Sequence, residues 1–196
     1  MKFVKSLNKS LDKMLSENPD VIFYGEDLCD PYGGAFKVSK GLSTKYPRQV
    51  LSTPISEATI VGMAAGMSAG GLRPIVEIMF GDFITLATDQ LLNHLVKYSW
   101  MYNNQIKTPV TIRTAMGGRR GYGPTHSQSL EPLLASIPQL KIVAPSDYHD
   151  PGKILEYAVL RDDDVTIFSE HKLLYPRELK SPDNAPEGIN VKNHYI

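Results

Sequence analysis

Four stretches of the 196-residue chain place acidic, basic or aromatic side chains where a turn could offer them to a ligand. In the first, Ser52-Thr-Pro54-Ile55-Ser56-Glu57, Pro54 and Ser56 mark a helix start and Glu57 falls in the first helical turn. The helix dipole favours an acid there, so a solvated first-turn glutamate is the plain alternative to a functional carboxylate. The small residues that follow (Gly62, Ala64, Ala65, Gly66, Ser68, Ala69) would let this helix lie very close to whatever it packs on. The second stretch, Gly25-Glu26-Asp27, is an acidic strand end, and Glu26 is either a site carboxyl or part of a solvated turn. The third contains Phe83, an aromatic that could stack on a ring or simply fill a core. The fourth is the glycine-rich run Gly117 to Glu131, whose glycines do not follow nucleotide-binding spacing. His126 at its tip, beside Ser127 and Gln128, can be offered to a cleft as an imidazole, or the run is a flexible surface loop.

Other candidates are weaker. His94 lies mid-helix without a second ligand at useful spacing and reads as a packed or interface histidine rather than a metal ligand. The single Cys29 rules out an internal disulfide and a cysteine zinc cage. No metal site is assigned within this chain.

Periodicity supplies the elements that must position these groups. Val4, Leu7, Leu11, Met14 and Leu15 predict an amphipathic helix over residues 3–17, stopped near Asn18-Pro19. Val21 to Tyr24 is a short apolar strand, and residues 28–48 form a long Gly-, Pro- and Tyr-rich connection with a short helix expected around Phe36 to Leu42. After the Glu57 helix, Leu72 to Phe80 reads as a buried strand and residues 82–102 as one long helix. Strands are expected at Thr108 to Ala115, Lys141 to Ala144 and Val165 to Phe168, and helices at Leu130 to Ile137 and His149 to Leu160. Strands alternating with helices at short intervals predict an α/β fold, a three-layer sandwich in which a parallel sheet is covered by helices on both faces. Glu57 then sits at the carboxyl end of a strand and the amino end of a helix, where such sheets keep ligands.

The length suits one domain, here 1–180, followed by a Pro-, Asn- and Gly-rich linker or tail over 181–196. Lys plus Arg equal Asp plus Glu at 21 each, which gives no electrostatic reason to expect nucleic acid or an anionic membrane as partner. The amino terminus interrupts its apolar residues with Lys, Asn and Asp, unlike a signal peptide. A cytoplasmic location is expected, or a mitochondrial matrix one for a processed eukaryotic protein.

Three ordered motifs carry a resemblance. The runs VIFYGEDLCDPYGGAFKVSKGL, TPISEATIVGMAAGMSAGGLRPIVEIMFGDF and GYGPTHSQSLE resemble the β subunits of thiamine-diphosphate-dependent 2-oxoacid dehydrogenases (pyruvate, branched-chain and acetoin E1). More broadly they resemble the pyrimidine-binding domain of the transketolase superfamily. That resemblance implies thiamine diphosphate and magnesium as cofactors. Glu57 matches the glutamate that hydrogen-bonds N1′ of the aminopyrimidine, and Phe83 the aromatic on which that ring stacks. Ile55, Met79 and Glu26 fall in the segments that border the cofactor, and His126 matches the loop histidine that contacts the 2-oxoacid. The diphosphate and magnesium are held in this superfamily by a Gly-Asp-Gly motif followed by Asn, absent from this chain.

The resemblance therefore implies an E1 α-like partner chain, a homodimer of this chain within an α2β2 heterotetramer, and a lipoyl carrier protein. Related β subunits continue into a further domain, whereas this sequence stops at Ile196: a truncated piece or a stand-alone pyrimidine domain. A two-subunit transketolase-like carboligase and a non-catalytic scaffold are the alternatives. Arg119-Arg120 is either an anion contact or a solvated pair.

Overall fold

A computed structural model describes residues 1–181; the stretch from 182 on, read as linker or tail, lies outside the described residues. Six strands form one parallel sheet: β1 (Val21–Glu26), β2 (Val50–Thr53), β3 (Arg73–Ile78), β4 (Thr111–Met116), β5 (Lys141–Val143) and β6 (Thr166–His171). Their order across the sheet is β2-β1-β3-β4-β6-β5. Helices α1 (Phe3–Glu17) and α6 (Pro151–Leu160) cover one face, packing Leu7, Leu11 and Leu155 onto Phe23, Ile75 and Phe168. Helix α3 (Glu57–Ala69), the helical rod 81–101 and α5 (Glu131–Leu134) cover the other, where Ile60, Val61, Leu91, Leu95 and Leu134 meet Val76, Ile112 and Ile167. The three-layer α/β expectation holds. No helix among the described residues is long and apolar enough to cross a membrane.

Local chemistry explains the element ends. Asn18 stops α1 with both its backbone N–H and its side-chain Nδ2 donating to Met14 O. Helix α6 starts on Asp150, whose carboxylate accepts from the Gly152 and Lys153 N–H groups. Gly152 lets α6 lie against α1: a Cβ there would press into Ser6, and Ser10 Oγ donates to Gly152 O at 2.6 Å.

Two expectations need correction. The short helix expected at Phe36 to Leu42 instead runs from Leu42 to Lys45 as α2, because Lys37 and Gly41 take positive φ (63° and 85°) and break the turn. The connection before it is tied down by Asp30, which accepts from Gly41 N–H, Thr44 and Ser43; these donors hold its carboxyl at about 2. The single helix expected over 82–102 has the right extent but not one winding. It begins as a 3-10 segment (Gly81–Ala87), widens to a π segment (Gln90–Leu95) and ends as α4 (Val96–Met101). Thr85 and Thr88 each donate a hydroxyl to the carbonyl three residues back, a pattern that suits the tighter winding.

Under the α1/α6 layer the sheet buries a charged group. Arg113 on β4 is 1% exposed; its Nη1 donates to Glu77 Oε2 on β3 at 2.5 Å and its Nη2 to Glu170 Oε2 on β6 at 2.8 Å. Its Nε lies 2.7 Å from Glu170 Oε1, a charge contact, and burial, then the Glu170 charge, raise the pKa of the buried Tyr175 hydroxyl. Burial raises the Glu170 carboxyl, and Arg113 opposes that rise. The three charges pin three neighbouring strands in register. Arg113→Met should cost about 3–5 kcal/mol in urea unfolding by stranding two buried carboxylates; a loss below about 1 kcal/mol would show that water reaches the cluster.

Candidate functional site

All six strands run the same way, so their carboxyl ends share one edge of the sheet. At that edge β1 ends in Glu26, in register with Thr53 at the end of β2, and four residues later α3 opens on Glu57. Both acids are shut away from water, Glu26 at 4% exposure and Glu57 at 6%. Solvated-turn readings therefore fail for both. Burial, then the charges of Glu57 and Asp27, push the Glu26 carboxyl up to about 7. Glu26 Oε1 and Thr53 Oγ1 are buried polar atoms without a hydrogen-bond partner. Among the described residues no salt bridge reaches Glu26 or Glu57. Two unneutralised buried acids with orphaned oxygens beside them mark a place built to receive a hydrogen-bonding group.

Helix α3 presents that place. Ser56 is its N-cap residue but makes no side-chain cap, its Oγ donating instead to Thr59 Oγ1 at 2.8 Å. Ala64, Ala65 and Ser68 press on the sheet, whereas a Cβ on Gly66 would meet nothing within 4 Å. The small-residue surface is thus only half used inside this chain. Met63 is exposed on the same apolar helix.

Helix α3 also packs along the 3-10 segment that carries Phe83. Phe83 is half-buried, joining the core on one side and meeting the His126 ring edge to face at 5.1 Å on the other. Phe80 meets the same imidazole at 5.2 Å, so His126 stands between two aromatic rings. Its Nδ1 lies 2.9 Å from Thr125 Oγ1. Behind Phe80, Phe36 at 5.7 Å and Tyr122 at 5.5 Å extend the aromatic wall, and Phe36 stacks on Tyr175 at 4.4 Å.

The structure thus pairs Glu26 with Glu57 and Phe83 with His126. Met79 is half-buried beside Phe80, while Ile55 stands 81% exposed at the lip. Arg119 and Arg120 are exposed in the turn before Tyr122. His94 is partly exposed and contacts Tyr98 at 3.3 Å and Asp89 at 3.5 Å, both on its own helical rod. No group of three or more His, Cys, Asp or Glu among the described residues could hold a metal.

Sequence reading overlooked Phe80, Asp82 and Lys172. Phe80 was counted only as a strand end. Asp82 is 6% exposed and accepts from Gln128. Lys172 is fully buried, its Nζ over the Phe80 ring at 5.1 Å, and burial lowers its pKa. A lysine directly after a β-branched and aromatic strand is the one signal that could have flagged it.

Comparison with known proteins bears on the family and the fold. The family described as "Transketolase, pyrimidine binding domain" matches residues 1–178. The β subunit of an acetoin:2,6-dichlorophenolindophenol oxidoreductase from Cupriavidus necator is 40% identical over 189 residues, covering 92% of this chain and 56% of the relative. A mitochondrial pyruvate dehydrogenase E1 β subunit from Oryza sativa is 40% identical over 172 residues (87% and 45%), and a 2-oxoisovalerate dehydrogenase β subunit from Pseudomonas aeruginosa 39% over 176 (89% and 50%). This chain spans about half the length of these relatives. A split-gene transketolase, solved as an inactive β4 tetramer, superposes with a TM-score of 0.69 at 21% identity, covering 93% of this chain and 55% of that one, a likeness of fold. With nearly the whole described chain matched, the protein belongs to the transketolase pyrimidine-binding domain family.

Proposed function

We propose that this chain is the pyrimidine-binding part of a thiamine-diphosphate-dependent 2-oxoacid dehydrogenase E1, acting as its β-type component. The observation that carries this reading is the buried, uncompensated Glu57 at the carboxyl edge of the sheet, beside the orphaned oxygens of Glu26 and Thr53. Relatives at 39–40% identity are β subunits of acetoin, pyruvate and 2-oxoisovalerate enzymes, which favours oxoacid-type chemistry over a sugar carboligase.

The residues present fit half of the cofactor. Glu57 would hold N1′ of the aminopyrimidine by a charge-assisted bond in a site with little water, and Phe83 and Met79 would line the ring. When bound, thiamine diphosphate supplies a carbon nucleophile and an electron sink for decarboxylation. Glu26 keeps a proton up to about pH 7, which spares Glu57 a second negative charge at its side. His126, fixed between Phe80 and Phe83, would donate a hydrogen bond to the carboxylate or oxyanion of the 2-oxoacid. We assign the diphosphate and magnesium to an E1 α-like partner, a reading supported by relatives that are named as β subunits.

The same reading explains the uncovered apolar surface. Helix α3 is apolar on all sides, yet Met63 is 43% exposed on it. Leu86, Trp100, Met101 and Tyr102 along the neighbouring rod are 49–76% exposed. A helix of that kind needs a cover on its second side. We propose a second copy of this chain there, within an α2β2 assembly that delivers its acyl unit to a lipoyl carrier protein.

Three outcomes are expected. In calorimetry of thiamine diphosphate and magnesium with this chain and its α-like partner, Glu57→Gln should weaken cofactor binding about ten- to a hundredfold; unchanged affinity and turnover would reject the assignment. His126→Ala should cut turnover about a hundredfold or more with cofactor affinity unchanged; equal loss of both would make the loop structural. Glu26 has a folded pKa of about 7 against an ordinary 4.5, so its stabilising contribution is full below 4.5 and is lost as pH rises through about 7. Glu26→Gln should therefore gain thermal stability relative to the wild type between pH 5 and pH 8, whereas parallel pH profiles would mean that Glu26 titrates normally.

A further inference from the structure

The loop that carries His126 is closed at its neck by groups outside the Glu26–Glu57 edge. Asp82 lies in the 3-10 segment one residue before Phe83 and is 6% exposed. Its Oδ1 accepts from two donors of one residue, the Gln128 backbone N–H at 3.1 Å and the Gln128 Nε2 at 3.0 Å. Gln128 O in turn accepts from the Gly117 N–H at 2.9 Å, so the two ends of the loop are tied to each other as well as to Asp82. The fully buried Lys172 donates from Nζ to Gly117 O at 3.0 Å, so the same residue is held at its carbonyl as well as at its N–H. Gly117 has φ 88° and sits where a Cβ would run into the His171 ring, so the neck tolerates only glycine there. Nearer the tip, Ser127 Oγ donates to Gly123 O at 2.6 Å.

These bonds act on His126 at short range. Gln128 is two residues from it, and Asp82 is the residue before Phe83, one of the two rings that hold the imidazole. A carboxylate accepting two N–H groups makes a stronger anchor than a neutral acceptor, because each bond is charge-assisted. We infer that Asp82 is a positioning residue for His126: through Gln128 it fixes the loop so that the imidazole enters the Phe80–Phe83 bracket, with Lys172 holding the opposite side of the neck. This rests on the role proposed above for His126 and adds the group that sets its orientation.

The bracket supplies a readout that is independent of activity. Rings 5.1 and 5.2 Å from the imidazole should displace the His126 ring-proton resonances from those of an open-loop histidine. In the full chain, Asp82→Ala should move these resonances towards open-loop positions, Asp82→Asn, which keeps one acceptor oxygen, should retain most of the displacement, and His94 signals should not change. In the chain assembled with its α-like partner, thiamine diphosphate and magnesium, Asp82→Ala should lower turnover on the order of a hundredfold, the penalty for a misplacement of ~1 Å. Cofactor affinity should be unchanged, and the loss should not multiply with His126→Ala. Gln128→Met, at an exposed side chain, tests the same link if Asp82→Ala does not fold: it should give a smaller loss that is likewise absent in the His126→Ala background. Unmoved His126 resonances in Asp82→Ala, or losses that multiply with His126→Ala, would overturn the inference while leaving the role of His126 standing. Full turnover in His126→Ala would instead remove that role and this inference with it.

Discussion

Two buried carboxyl groups at one edge of the sheet, with no salt-bridge partner among the described residues, are the constraint around which the rest of this molecule makes sense. Burying an acid is costly unless it is paired or gives up its charge. The same sheet shows that the chain can pay that cost when only architecture is at stake: Glu77 and Glu170 share the guanidinium of Arg113. At Glu26 and Glu57 no such arginine is supplied, and Glu26 answers by holding its proton up to about pH 7. The difference lies in position. The compensated pair lies within the sheet under α1 and α6, whereas the uncompensated pair lies where β1 ends and α3 begins.

Rigidity at that edge comes from rings. The buried Tyr175 stacks on Phe36; Phe36 meets Phe80; Phe80 and Phe83 hold His126. The long connection 28–48 and the glycine-rich loop, the second of which has a surface-loop reading in isolation, are thereby joined to the core by edge-to-face contacts. The changing pitch of the 81–101 rod belongs to the same arrangement. Its tight first turns place Asp82 and Phe83 at the loop neck, and its wider middle turns towards Gly62 of α3, where Gln90 Cγ lies 3.7 Å from a built Cβ.

Much of this was legible in the residues. The helical stripe of Leu7, Leu11 and Met14, the β-branched strands and the Ser56-Glu57 helix start each obey a local rule, and the structure follows them. What escaped were features whose cause lies far along the chain. Glu77 and Arg113 are 36 positions apart and look like ordinary charged residues within apolar runs until β3 and β4 are set side by side. Asp82 and Gln128, 46 positions apart, carry no spacing signal at all. Positive φ at Lys37 could not be foreseen from a residue type that rarely adopts it, so the expected helix at Phe36 to Leu42 was displaced. Glu57 was legible as a first-turn acid, and its burial followed from the resemblance rather than from any local rule.

The central claim is that Glu57 is aimed at the heterocycle of a cofactor whose charged end belongs to another chain. It is tested most directly by the structure of this chain assembled with its α-like partner, thiamine diphosphate and magnesium. A Glu57 carboxylate oxygen is expected within about 3 Å of N1′ of the aminopyrimidine, with the Phe83 ring against that heterocycle and His126 facing the thiazolium side. A pyrimidine bound elsewhere, or Glu57 turned away from it into a contact with the partner protein, would contradict it.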